Sequence, residues 1–129
     1  MAKYITECKL NFFQSKKAGK IAIVTMDNGQ FYNIPNTWGE EAFESLNKVI
    51  DTVEKDKDVK GWILTGKPYI FNVGADIMSV DPNMKKETAL QIGALGHTTF
   101  KRIMNLKIPT LAAINGAAMG GGVEVGLYH

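Results

Sequence analysis

Two glycine-marked segments hold the residues whose types and spacing can do chemistry: Phe71-Asn72-Val73-Gly74-Ala75-Asp76-Ile77 and Asn115-Gly116-Ala117-Ala118-Met119-Gly120-Gly121-Gly122-Val123-Glu124. Each lies just past an apolar run of strand length. Glycine lets a main chain approach a ligand closely and visit positive φ, so two such segments at strand ends suit a preformed site in which backbone N–H groups face one acyl oxygen. A carboxylate, Glu124, follows the second segment. Plainer readings stay open for each part. Gly120 to Gly122 also make a tight strand-to-helix turn, Asp76 also caps a helix, and dipole complementarity alone favours an acid such as Glu124 at a helix start.

These segments resemble the two signatures of the enoyl-CoA hydratase/isomerase (crotonase) superfamily, which read like F-x-x-G-A-D and A-x-N-G-x-x-x-G-G-G-x-E. Trp62-Ile63-Leu64-Thr65-Gly66 before the first and Ile108-Pro109-Thr110-Leu111-Ala112-Ala113-Ile114 before the second extend the resemblance, which runs from about Gly19 to His129. It implies an α/β fold, an incomplete crotonase-like ββα spiral. Residues 1–129 would be the N-terminal portion of one such domain, ending before the family's second catalytic glutamate.

The resemblance also implies roles. The backbone N–H groups of Ala75 and Gly121 would be the oxyanion donors, and Glu124 the first of two glutamates that hold and activate the water added to a 2-enoyl-CoA thioester. Gly74, Asp76, Ile77, Met119 and Gly120 would border the substrate. Val73, bulkier than is common there, would either narrow the acyl pocket or pack. The adenine end of coenzyme A would lie against the G-A-D loop and an earlier loop, matched by Tyr32-Asn33-Ile34-Pro35 with Asn33 as its best-fitting residue. Met78 stands where many relatives carry a basic residue, leaving Lys67, Lys85 and Lys86 as phosphate-binding candidates, although a solvated surface charge is the plainer reading of each.

Coenzyme A would enter as part of the substrate, with no separate cofactor and no metal, and the parent protein would form trimers or hexamers. Isomerase, hydrolase or decarboxylase chemistry on the same oxyanion site is the alternative, as is a non-catalytic fragment that only binds acyl-CoA or assembles. The run Gly66-Lys67-Pro68-Tyr69-Ile70-Phe71 also resembles the hydratase part of bifunctional β-oxidation proteins.

The elements that must position these loops follow from periodicity. Lys9 to Gln14 and Lys20 to Asp27 read as a hairpin around Lys16-Lys17-Ala18-Gly19, and Asp27-Asn28-Gly29 as a turn. Thr37-Trp38-Gly39-Glu40 has capping-box spacing, with Thr37 as cap. An amphipathic helix with Phe43, Leu46, Ile50 and Val53 on its apolar face should follow and end near Asp56. Val59 to Thr65 reads as a buried strand leading directly into the first signature. A second helix from about Lys85 to Asn105 is weakened by Gly93 and Gly96, Thr110 to Ile114 is the next strand, and the glycine run opens a final helix. The expected order is β-β-α-β-α-β-α.

Composition narrows the classes. The chain has 129 residues, 45% hydrophobic and 22% charged, which describes one domain or part of one. A net charge of +2 is too small to argue for a nucleic-acid or anionic-membrane partner, and neither is expected. The single Cys8 offers no intramolecular disulfide, and no run approaches a membrane span. A soluble cytoplasmic protein is expected. Two nucleotide-binding readings fail. Gly61 to Pro68 nearly spells a phosphate-binding loop, but proline replaces the magnesium-binding hydroxyl and Trp62-Ile63-Leu64 reads as strand. Counting from Gly120 and Gly122 puts Val125 where a dinucleotide motif needs glycine. His97 lacks a ligand partner at metal spacing and reads as structural, and His129 as a frayed terminus.

Overall fold

The computed structural model describes residues 3–129, whose elements run as three successive β-β-α units. The first comprises β1 (Glu7–Ser15), β2 (Gly19–Asp27) and α1 (Glu40–Lys55); the second β3 (Val59–Gly66), β4 (Tyr69–Asn72) and α2 (Lys86–Met104); the third β5 (Thr110–Ala113), β6 (Gly116–Ala118) and α3 (Gly121–Leu127). The main sheet has the order β1-β2-β3-β5, and β4 with β6 forms a second, two-stranded sheet.

The hairpin is antiparallel from Glu7↔Asp27 to Ser15↔Gly19, closed at Gly19 with φ 81°. Alternation along β2 buries Ala22, Val24 and Met26, while β3 pairs parallel to β2 and buries Val59, Trp62 and Leu64. Parallel pairing needs a crossover, supplied here by α1. The helix buries Ala42, Phe43, Leu46, Val49, Ile50 and Val53, the expected face widened by two residues, into the same core as these strand residues. Fully burying a side chain such as Leu46 or Ile50 stabilises the fold by about 1.5–3 kcal/mol. Cys8 lies in this core, where burial pushes its thiol up to about 12, so it is no nucleophile at neutral pH. Among the described residues no helix is long and apolar enough to cross a membrane.

Three expectations need correction. Thr37 does not cap α1: the helix begins at Glu40 with Gly39 at its N-cap and no side-chain cap bond. The backbone of residues 36–38 is committed elsewhere, to pairing with the first signature loop. That loop also does not follow β3 directly, because β4 intervenes after a turn in which Tyr69 takes φ 68°. Lys67, in that turn, is neither a solvated charge nor free for phosphate. It is only 4% exposed, and its Nζ donates to Asn28 Oδ1, Gln30 O, Phe31 O and Ile34 O at 2.5–3.1 Å. Burial pulls its pKa below the ordinary lysine value, opposed by the charge of Asp27. The nearly phosphate-binding sequence is thus a strand whose lysine ties down residues 28–34.

Despite its glycines, α2 is continuous. Its register against α1 is set by Asn47, which donates to Thr99 Oγ1 at 2.8 Å, and by Arg102, which donates to Asn47 Oδ1, Asp51 and Glu54. With Thr99, Phe100 and Ile103 buried, Gly93, Gly96 and His97 lie along the wall of a cavity.

Candidate active site

The two signature loops meet because β4 and β6 pair in parallel, Tyr69↔Gly116 and Asn72↔Ala118. Buried Asn72 serves both. Its side-chain Oδ1 accepts the Gly74 N–H at 2.8 Å, and its carbonyl accepts the Met119 N–H at 3.1 Å. Two further asparagines secure the surroundings. Buried Asn36 donates from Nδ2 to Met26 O and Phe71 O, and its carbonyl accepts the Val73 N–H. Asn115 accepts the Gly66 N–H and donates to the carbonyls of Gly66 and Lys67.

Trp38 joins the loops a second time. Its N–H donates to Gly74 O at 2.7 Å and its carbonyl accepts the Asp76 N–H at 2.8 Å, forming a parallel bridge with Ala75. Its indole Nε1–H donates to Gly121 O at 3.2 Å. The bridge uses the groups on either side of Ala75, so the Ala75 N–H itself finds no acceptor among the described residues. The Gly121 N–H is in the same state, because Gly121 is the first residue of α3 and has no preceding turn to donate into. Gly120 takes φ 49°, and a Cβ on Gly122 would lie 1.8 Å from Asn72 O, so this tight entry into α3 requires glycine.

Ala75, Gly121 and Glu124 all line one cavity of about 600 Å³, walled otherwise by Trp38, Phe43, Ile92, Gly93, Gly96, His97, Phe100, Leu127 and Tyr128. Trp38 stacks on Phe43 at 5.3 Å and both meet Phe100 edge-on, so the wall is largely aromatic. Gly121 and Glu124, at i and i+3, share a face of α3, and Tyr128 follows at its C-cap. Unpaired N–H donors, a carboxylate and an apolar space together suit an apolar acyl group whose carbonyl oxygen gains charge during reaction.

The remaining sequence candidates are placed elsewhere. Gly74 and Gly120 shape the loops from behind, with Gly74 buried and at φ 94°. Val73 is half-buried and does not line the cavity; Met119 and Ile77 are exposed, 64% and 75%, and do not line it either. Asp76 borders a second cavity of about 460 Å³ with Lys3, Tyr4, Ile34, Pro35, Thr37, Met78 and Ser79. Asn33 is exposed in a turn and touches neither cavity; the earlier segment that reaches the first signature is Asn36 to Trp38.

Sequence reasoning missed Trp38, whose only sequence signal pointed to a helix cap. It also set aside two histidines. His97 lies in the cavity wall with Nδ1 3.0 Å from the Tyr128 hydroxyl. His129 is half-buried instead of frayed: its Nε2 accepts the Trp62 indole N–H at 3.0 Å and its Nδ1 lies 2.8 Å from Val125 O. Burial lowers its pKa, which suits the neutral ring those partners require.

Comparison with known proteins follows the same segments. Residues 16–128 match the family model described as enoyl-CoA hydratase/isomerase. The chain is 36% identical over 121 residues to the fatty acid oxidation complex subunit alpha of Shewanella halifaxensis, covering 90% of this chain and 16% of that protein. It is 34% identical over 120 residues to the short-chain-enoyl-CoA hydratase of Clostridium acetobutylicum, covering 92% and 44%. Among solved structures, the enoyl-CoA hydratase of Bacillus anthracis superposes with a TM-score of 0.80 at 23% identity, covering 95% of this chain and 45% of that one. Pseudomonas aeruginosa DspI does so at 0.75 and 29%, covering 93% and 46%. The chain thus spans less than half the length of each of these relatives.

Proposed function

The chain belongs to the enoyl-CoA hydratase/isomerase family, and from that membership we propose that the whole protein adds water to the double bond of a 2-enoyl-CoA. The observation that carries the reading is the pair of unpaired N–H groups, Ala75 and Gly121, opening on the cavity that Glu124 also lines. The thioester oxygen accepts from both. As water adds at C3, electron density moves onto that oxygen, and donors already in place stabilise it without reorganisation. Glu124 accepts a hydrogen bond from the water and takes its proton as the C–O bond forms; a second acid group delivers a proton to C2.

The acyl chain lies along the aromatic wall. The coenzyme A portion runs over the first loop toward the cavity bordered by Ile34, Pro35, Thr37 and Asp76, and no separate cofactor takes part. Gly74, Gly120, Val73, Met119 and Ile77 act in this reading through the shape of the two loops. Assembly into trimers or hexamers and a cytoplasmic location belong to the same proposal.

Glu124→Gln in the full-length protein tests it. The amide keeps the size and the contact with water but not the basicity, so hydration of crotonyl-CoA should fall by about 10²–10⁴-fold while acyl-CoA binding persists. Undiminished turnover would remove Glu124 from the reaction.

A further inference from the structure

We infer that His97 and Tyr128 form a polar recognition point in the cavity, selecting acyl chains that carry an oxygen substituent remote from the thioester over plain hydrocarbon chains. The inference builds on the reading of this cavity as the acyl site and adds the class of acyl group it takes.

Both residues line the cavity, and their side chains meet there, His97 Nδ1 lying 3.0 Å from the Tyr128 hydroxyl. Packing holds the pair in place: the two rings meet edge-on at 6.0 Å, and Tyr128 leans on buried Phe100 at 5.8 Å. Apart from Glu124, the other side chains of the wall are apolar: Trp38, Phe43, Ile92, Phe100 and Leu127.

The imidazole and the phenol together bring at least two exchangeable hydrogens to this contact. Their mutual bond uses one. If the tyrosine donates, an imidazole N–H is left; if the imidazole donates, the tyrosine O–H is left. In either tautomer one hydrogen remains, with no acceptor among the described residues. A hydrocarbon chain covering the pair would take that donor from water and return nothing, whereas a hydroxyl or carbonyl oxygen would accept from it.

Position along the helix defines where that oxygen must be. Tyr128 follows Gly121 by seven residues, a rise of about 10 Å along α3. A chain held at its carbonyl by the Gly121 N–H therefore passes the apolar wall first and reaches the polar pair near the end of a medium-length acyl group. Gly93, one turn before His97 on α2, keeps that path open, since a Cβ there would meet nothing within 4 Å, while Gly96 lets the Phe43 ring pack against the helix.

The test is calorimetric titration of the full-length protein with ω-hydroxyoctanoyl-CoA and octanoyl-CoA, repeated on Tyr128→Phe, on His97→Leu and on the double variant. The wild type should bind the hydroxylated ligand about tenfold more tightly, the value of one added hydrogen bond. Each single replacement leaves the other residue's hydrogen free to donate, so the preference should persist there and the ratio should fall close to one only in the double variant. The ratio is read within each variant, so general damage to the fold, which weakens both ligands together, does not imitate the effect. Equal wild-type affinities, or a ratio that survives both replacements, would overturn the inference. Failure of the wild type to bind either ligand would overturn it together with the acyl-site reading. A hydroxyl preference that depends on both residues, in a protein that does not hydrate the corresponding enoyl-CoA, would sustain it while removing the hydratase reading.

Discussion

A Cβ built on Gly74 would lie 3.0 Å from the backbone nitrogen of Gly121, so the two signature loops meet main chain to main chain. Gly74 also takes φ 94°, where a side chain is strained whatever the space. In the full-length protein Gly74→Ala should displace the Gly121 N–H and lower turnover of crotonyl-CoA by about 10²-fold or more, the scale of losing one oxyanion donor. Steady-state kinetics beside a melting curve checks this. Unaltered kcat in the alanine variant would show that the contact does not position the donor.

Two other glycines should respond in opposite directions. A Cβ on Gly122 would fall 1.8 Å from the Asn72 carbonyl oxygen, a backbone atom with no room to move, and Gly122→Ala should destabilise the fold by about 3 kcal/mol or more. A Cβ on Gly93 would meet nothing within 4 Å. There, Gly93→Ala should stabilise α2 by about 0.5–1 kcal/mol through helix propensity while narrowing the cavity. Denaturant titration of both variants gives the comparison.

Lys67 predicts a local effect. Its ammonium is held by four oxygens of residues 28–34, the segment that leads into Asn36 and Trp38. Lys67→Met keeps the apolar stem but leaves those acceptors unpaired, and should cost about 2–4 kcal/mol. Hydrogen exchange should quicken first in residues 28–36; uniform exchange along the chain would contradict the tie.

The half-buried His129 predicts a pH dependence. Its folded pKa lies below the ordinary 6.5, so the unfolded chain takes up the proton first. Its contribution to stability is complete above pH 6.5 and is lost as pH falls toward the folded value. The lowered carboxylates Asp27 and Glu41, bonded by Lys9 and Lys3, act in a separate window below their ordinary values of 3.8 and 4.5. Melting temperature should therefore begin to fall just below pH 6.5, and His129→Gln should flatten that part of the curve without changing the acid limb.

Long, strongly patterned elements were legible in the sequence. The apolar face of α1 follows from periodicity because it buries a regular stripe, whereas the β1–β2 hairpin follows from β-branched and aromatic residues around a turn, and α2 from the breaks that bound it. The juxtaposition of Ala75, Gly121 and Glu124 was reached through the signatures, not through any pattern of burial. What stayed hidden has no periodic signal. Gly116 to Ala118 form a strand only because β4 lies beside them, and β4 itself contains an asparagine and begins at a residue with positive φ. Asn36 and Asn115 bind backbone groups remote in sequence through their side chains, which no local pattern announces. Trp38 carried a helix-start pattern that tertiary pairing with Ala75 overrode.

Asn72 closes one circuit from its side chain to Gly74 and another from its carbonyl to Met119, while Trp38 closes a third through Gly74, Asp76 and Gly121. Neither loop has a hinge of its own, since moving one drags the other through these bonds. On the proposed reading, the reacting carbonyl would thus be met by a single tied unit of two loops, with no independent motion of either donor.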